Sequence, residues 1–190
     1  MSSRVERTLA SSADGAPDGL ARLWAPYRSA YLGEQGTGGD DGDRGSADPD
    51  DPFSSLPAKS DEDALIVARG EKVFCILNLY PYNPGHMMVL PYRKVASYEE
   101  LTDTETRELA EFTKKAIRVL RAVSGPDALN VGMNLGRASG GSVPGHLHQH
   151  IVPRWQGDTS FMTVLSGSKV LIQLLGETRE LLATAWQQLD

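Results

Sequence analysis

Residues 146–155 read His146-Leu147-His148-Gln149-His150-Ile151-Val152-Pro153-Arg154-Trp155, and three of the chain's four histidines stand here at alternate positions. Side chains alternate between faces along a strand, so the three imidazoles share one face about 7 Å apart at Cα while Leu147 and Ile151 point the other way. A lone histidine is most often structural. Three on one face are a poor core, because every buried ring nitrogen needs a partner, so the row reads as functional.

Working outward, short apolar runs flank this strand. Ala64–Arg69, Val73–Tyr80, His86–Tyr92 and Ala128–Leu135 read as further strands, with His146–Trp155 the last. Tyr80-Pro81-Tyr82-Asn83-Pro84-Gly85 carries the proline and glycine of a tight reversal and implies an antiparallel pair. Thr102-Asp103-Thr104-Glu105 is a capping box. It opens a helix whose inward positions are Leu109, Phe112, Ala116, Ile117, Leu120 and Val123, and which ends at Gly125-Pro126. On its other face Lys114, Lys115, Arg118 and Arg121 alternate with Glu108 and Glu111, the pattern of a solvated face. A last helix from about Lys169 to Gln187 presents Leu171, Leu174, Leu175, Leu181 and Leu182. The expected fold class is α+β: an antiparallel sheet of about five strands, one long crossover helix, and further helices at the N- and C-termini.

Before residue 53 the texture differs. Residues 1–17 read as a disordered leader, and 18–32 as a helix capped by Asp18 with Leu20, Leu23, Trp24, Tyr27 and Tyr31 at helical spacing. Residues 33–52 hold six glycines and seven acids against Arg44 alone, so the chain's whole net charge of −6 sits there. With no large apolar side chain the stretch reads as a mobile acidic loop, followed by a catalytic domain over 53–190. Nucleic acid is disfavoured as a partner. No apolar run approaches the roughly 18 residues of a membrane helix, the start lacks a signal-peptide core, and the single cysteine, Cys75, fits a reducing compartment. These features point to the cytoplasm. Cys75 and Met87 read as core.

Two chemistries suit the histidine row. A metal site needs further ligands, yet residues 128–157 contain no carboxylate. Alternatively, a neutral imidazole attacks phosphorus while its second nitrogen is held protonated by an acceptor. The preceding loop, Arg137-Ala138-Ser139-Gly140-Gly141-Ser142-Val143, offers hydroxyls, a guanidinium and glycine backbone that a phosphate can approach. Arg154 is a second phosphate candidate by charge, and Trp155 either stacks on a base or packs at the sheet end.

Asn78, then Asn83-Pro84-Gly85-His86-Met87-Met88-Val89-Leu90-Pro91, then Asn134-Leu135-Gly136 and the His-x-His-x-His run together resemble the histidine triad (HIT) nucleotide-binding proteins over residues 64–155. Leu79–His86 and Pro153-Arg154-Trp155 look most like the bacterial diadenosine tetraphosphate phosphorylases, the ATP adenylyltransferase type. The resemblance implies that His148 is the nucleophile, forming an adenylyl-histidine intermediate. His146 would orient it through its backbone carbonyl, and His150 and His86 would complete the hydrogen-bonded group around the phosphates. Asn78 matches a position that contacts ribose, Ile76 lies beside the base, and Asn134 matches a polar residue near the phosphates. Gly141 and Ser142 complete the expected nucleotide site, with Ser139, Gly140, Arg137, Arg154 and Trp155 as secondary candidates.

Two departures carry weight. Hydrolytic members usually have glutamine where Ser142 stands, which turns the expectation toward phosphorolysis, with inorganic phosphate as acceptor. Asp51-Pro52-Phe53-Ser54 occupies the place where many relatives carry a cysteine pair that helps bind zinc, so neither a structural metal nor a tightly bound cofactor is expected, beyond magnesium accompanying the polyphosphate. The expected partners are nucleotides, phosphate and further copies of the chain as a homodimer or higher homo-oligomer. Hydrolysis of dinucleoside polyphosphates or nucleoside phosphoramidates is the nearest alternative. A non-catalytic adenine nucleotide sensor and a metal-dependent oxidoreductase are the remoter ones.

Overall fold

The computed structural model of the chain describes residues 51–158 and 174–189. The leader, the first helix and all but the last two residues of the acidic loop lie outside the described residues, as does the start of the last helix.

Five strands form one antiparallel sheet: β1 Ile66–Arg69, β2 Val73–Leu77, β3 Met87–Pro91, β4 Ala128–Met133 and β5 Gln149–Arg154. Their spatial order is β1-β2-β3-β5-β4, so the chain leaves β3, crosses through helix α1 (Asp103–Ser124), forms the edge strand β4 and returns between the two as β5. The expected sheet and crossover helix are present. The strands are shorter at the turn than the apolar runs suggest, because Pro81 and Pro84 have no N–H to extend the β2–β3 ladder. The pairing ends with the Asn78 N–H donating to the His86 carbonyl at 2.9 Å, and the His86 N–H closes the turn on the Asn83 carbonyl at 3.1 Å.

Helix α1 begins at the expected capping box. The Thr102 hydroxyl accepts the Glu105 amide, and the Glu105 carboxylate accepts the Thr102 amide at 2.8 Å. Arg93 adds a two-pronged ion pair at 2.9 and 2.7 Å, and it is the main reason the buried Glu105 carboxyl is pulled down to about 2. Gly125 ends the helix at φ 52°, a left-handed conformation that glycine adopts without a Cβ penalty.

The inner strands β2 and β3 are buried on both faces, whereas the edge strand β4 is largely exposed. Toward α1 lie Val73, Cys75, Leu77, Met87, Val89 and Ile151 with Leu109, Ala116, Val119 and Leu120 of the helix, joined by Leu182 and Trp186 of α2 (Leu175–Gln188). Phe112, Ile117 and Val123 of the expected inward set are only partly buried, and Val119 takes a fully buried place. Helix α2 departs further from expectation: Leu174 and Leu181 are exposed, and its buried positions are Thr178, Leu182 and Trp186, four residues apart. The opposite face of the sheet carries Phe74, Ile76, Met88 and Leu90, packed against Ile66, Ala64 and Phe53. Among the described residues no helix is long and apolar enough to cross a membrane.

Candidate active site

The histidines gather on the sheet face that α1 leaves uncovered. On β5, Gln149 reaches the Thr113 hydroxyl of α1 at 2.9 Å and Ile151 enters the α1 core, so their neighbour His150 projects the other way. The strand begins only at Gln149. His146, Leu147 and His148 precede it, pinned where the Leu147 amide donates to the Val95 carbonyl at 2.7 Å. His86 enters from the turn before β3, where Met88 lies directly across from His150. Three of the rings sit close together: His148 to His150 is 4.9 Å between centroids, and His86 to His150 is 5.1 Å. His86, His146 and His148 are buried; His86 and His146 have hydrogen-bond partners at both ring nitrogens, and His148 has one at Nδ1.

Backbone groups fix the tautomers. The Nδ1 of His148 lies 2.8 Å from the His146 carbonyl oxygen. A carbonyl only accepts, so Nδ1 carries the proton and Nε2 keeps its lone pair. Burial is the largest influence on this ring and, with the neighbouring His146, holds its pKa below the ordinary 6.5 against the raising effect of the carbonyl. The ring is therefore neutral and nucleophilic at neutral pH. In His86 the assignment runs the other way. The Tyr82 amide donates to Nδ1 at 3.1 Å, so Nε2 holds the proton and donates it to Nδ1 of His150 at 2.9 Å. Neutral His150, accepting at Nδ1, carries its own proton on Nε2. The His146 carbonyl thus sets the tautomer of His148.

The loop that supplies the approach folds tightly. Gly136 has φ 75° and Gly140 φ 87°, around a single turn at Arg137–Ser139. The Ser139 hydroxyl closes that turn on the Gly136 carbonyl at 2.7 Å. A Cβ at Gly141 would lie 3.0 Å from Asn134 Cβ, so glycine is what lets the loop fold back over Asn134. Ser142 is half-buried, and Val143 packs against the Phe53 cluster. Arg137 and Gly140 are exposed.

Other expected residues are placed as follows. Ile76 is buried in the sheet face that carries the histidines, and Asn78 follows it, its side-chain amide 3.4 Å from His86 Nδ1 and its oxygen accepting the Tyr80 amide at 3.0 Å. Arg154 and Trp155 lie four and five residues beyond His150, about 13–16 Å along a strand. There Arg154 pairs with Asp158 at 2.6 and 2.9 Å, and the Trp155 indole donates to the Ser124 carbonyl at 3.4 Å. Both side chains are engaged in holding the end of the sheet.

Three residues were not anticipated. Asp51, read as the tail of a solvated loop, is fully buried, and its carboxylate oxygens lie 3.0 and 3.1 Å from His146 Nδ1. An acid does sit beside the triad, delivered from 95 residues upstream rather than from 128–157. Phe53 packs its ring 5.7 Å from His146 and 5.1 Å from His148, and Tyr82 lies 4.7 Å from His86. The available signal was Asp51-Pro52-Phe53-Ser54: the Asp51 side chain accepts the Phe53 amide at 3.1 Å, a local turn that ends a loop by burying the aromatic after it.

Residues 59–157 match the HIT domain family. The chain is 54% identical over 181 residues to the AP-4-A phosphorylase of Mycobacterium tuberculosis, covering 95% of this chain and 92% of that protein. It is 34% identical over 108 residues to the asymmetrical bis(5'-nucleosyl)-tetraphosphatase of Schizosaccharomyces pombe, covering 57% of each. Among solved structures, a Zn-bound histidine triad family protein from Mycobacterium smegmatis superposes with a TM-score of 0.54 at 25% identity, covering 65% of this chain and 84% of that one.

Proposed function

The chain belongs to the HIT domain family, and on that premise we propose that it is a nucleotidyl transferase that phosphorolyses diadenosine tetraphosphate to ATP and ADP. The observation that carries the reading is the His148 ring: Nδ1 held on the His146 carbonyl at 2.8 Å, Nε2 unprotonated, in a chain 54% identical to a phosphorylase of that substrate. In the first step Nε2 of His148 attacks an α-phosphorus. The N–P bond forms, the bridging P–O bond breaks and ATP leaves, with negative charge moving onto it. In the second step an oxygen of inorganic phosphate attacks the same phosphorus, the N–P bond breaks, and ADP leaves a neutral His148. The two displacements together split one difficult transfer into two easier steps. Nε2–H of His150 and the backbone N–H groups of Gly141 and Ser142 would offset the charge that develops on the phosphoryl oxygens.

Ser142 supports phosphate over water as the acceptor, because a short hydroxyl beside glycine backbone leaves room for a second anion where a glutamine side chain would fill it. Magnesium would accompany the polyphosphate, and a second copy of the chain would pair through the open edge of β4. The reaction is tested by supplying diadenosine tetraphosphate with 18O-labelled phosphate and resolving the products. Turnover to ATP and labelled ADP is expected only with phosphate, with no more than one equivalent of ATP per enzyme released without it. AMP and ATP formed without it would make the chain a hydrolase.

A further inference from the structure

Both ring nitrogens of His146 face oxygen. Nε2 lies 2.9 Å from the Pro91 carbonyl, and Nδ1 lies 3.0 and 3.1 Å from the two carboxylate oxygens of Asp51. The carbonyl can only accept, so Nε2 carries a proton; the second contact requires one more proton, on the ring or on the acid. Asp51 already accepts the Phe53 and Ser54 amides at 3.1 and 3.3 Å and the Ser54 hydroxyl, and the Lys94 ammonium stands 3.7 Å from Oδ2. Protonating the acid would surrender acceptor capacity to that set of donors, whereas protonating the ring satisfies every partner. The geometry points to Asp51 as a positioning residue that holds His146 as a buried imidazolium, and to this ion pair as the anchor of the carbonyl on which His148 is aligned.

Two consequences follow for the chemistry. A buried cation without a partner is strongly unfavourable, so removing the Asp51 charge changes the state of His146 rather than leaving it uncompensated. The charged and titratable groups facing His146 are Asp51, with Lys94 behind it, and His148. A positive His146 therefore opposes protonation of the nucleophile, and its loss lets His148 protonate at higher pH. Burial tends to raise the Asp51 carboxyl, but the bonds from Ser54 and His146 outweigh it and hold the group below its ordinary value, in keeping with an ionised acid.

The inference rests on His148 as the nucleophile, but its first test does not need activity. In the full chain labelled with 15N-histidine, long-range 1H–15N correlation at neutral pH should show both His146 nitrogens protonated, the assignment coming from loss of that pattern in His146→Gln. A neutral single-tautomer pattern at His146 would overturn the proposal. Asp51→Asn should abolish the imidazolium pattern and slow formation of the adenylyl-enzyme by about 10- to 100-fold, by analogy with partners that orient metal-bound histidines. The acid limb of its pH profile should move upward, while nucleotide KM changes little. A wild-type rate and pH profile in Asp51→Asn would refute the positioning role. Wild-type enzyme that forms no adenylyl intermediate would instead refute the proposed function, leaving the spectrum to decide the charge state of His146.

Discussion

Replacing Glu108 with alanine should destabilise the chain by about 2 kcal/mol while leaving turnover intact. Its carboxylate, reaching from α1, accepts three backbone N–H groups in the β1–β2 turn: Glu71 at 2.7 Å, Lys72 at 2.5 Å and Val73 at 3.2 Å. The first two amides are exposed and water can replace their partner, so each is worth only about 0.5 kcal/mol, whereas the partly buried Val73 amide is left wanting at about 1 kcal/mol. For a chain of this length that corresponds to a fall in Tm of about 4–8 °C. Urea denaturation of Glu108→Ala measures it, and Glu108→Gln, which keeps one oxygen, should lose about half as much. The same geometry predicts coupling to Gly70, because a Cβ there would overlap Glu108 Oε1. Gly70→Ala should therefore cost less in the Glu108→Ala background than in wild type, although Phe112 remains close. Since α1 covers the sheet face away from the histidines, kcat and KM should be unchanged below the transition. A Glu108→Ala midpoint equal to wild type, or a changed KM, would refute the reasoning.

Three further outcomes are expected. Adenylation needs neutral His148, whose pKa lies below 6.5, so the burst rate should hold from neutral pH down to about that value and fall only below it; rapid-quench rates across pH with a midpoint at or above neutrality would contradict the burial argument. Ser142→Gln should shift the acceptor preference from phosphate toward water, read as AMP relative to ADP at fixed phosphate, and an unchanged ratio would remove Ser142 from the acceptor site. Gly85→Ala places a side chain at φ 79° with its Cβ 3.2 Å from Leu120 Cδ2, and a cost of about 1–2 kcal/mol is expected from the backbone alone. Because Gly85 precedes His86, kcat should fall along with Tm, and a loss confined to Tm would show that His86 is held independently of the turn.

The parts of the fold that were legible in the sequence are those set by local chemistry. Thr102 and Glu105 cap α1, Gly125 ends it, and the prolines of 81–84 stop the β2–β3 ladder, all within a few residues of the feature they determine. The histidine row was legible as a local pattern, but the alternation holds as strand geometry only from Gln149, and the contacts of His146 and His148 are set by the chain that precedes β5. What was not legible depends on distant packing. Asp51 belongs by composition to an acidic, glycine-rich stretch, and only the tertiary fold brings it to a ring 95 residues away. On α2, Leu174 and Leu181 read as core by residue type, yet the helix buries Thr178, Leu182 and Trp186, with the Thr178 hydroxyl satisfied by the Leu174 carbonyl at 2.9 Å. Arg154 read as a phosphate ligand by charge, and the acid that engages it, Asp158, is four residues away in a turn that composition did not flag.

Covalent transfer through His148 is tested most directly by mass analysis of enzyme quenched after reaction with diadenosine tetraphosphate in the absence of phosphate. Wild-type enzyme should carry one AMP, mapped to the peptide containing His148, and should release it as ADP when phosphate is added. His148→Ala should carry none. An unmodified wild-type enzyme that nevertheless forms products, or AMP attached at another residue, would contradict the account.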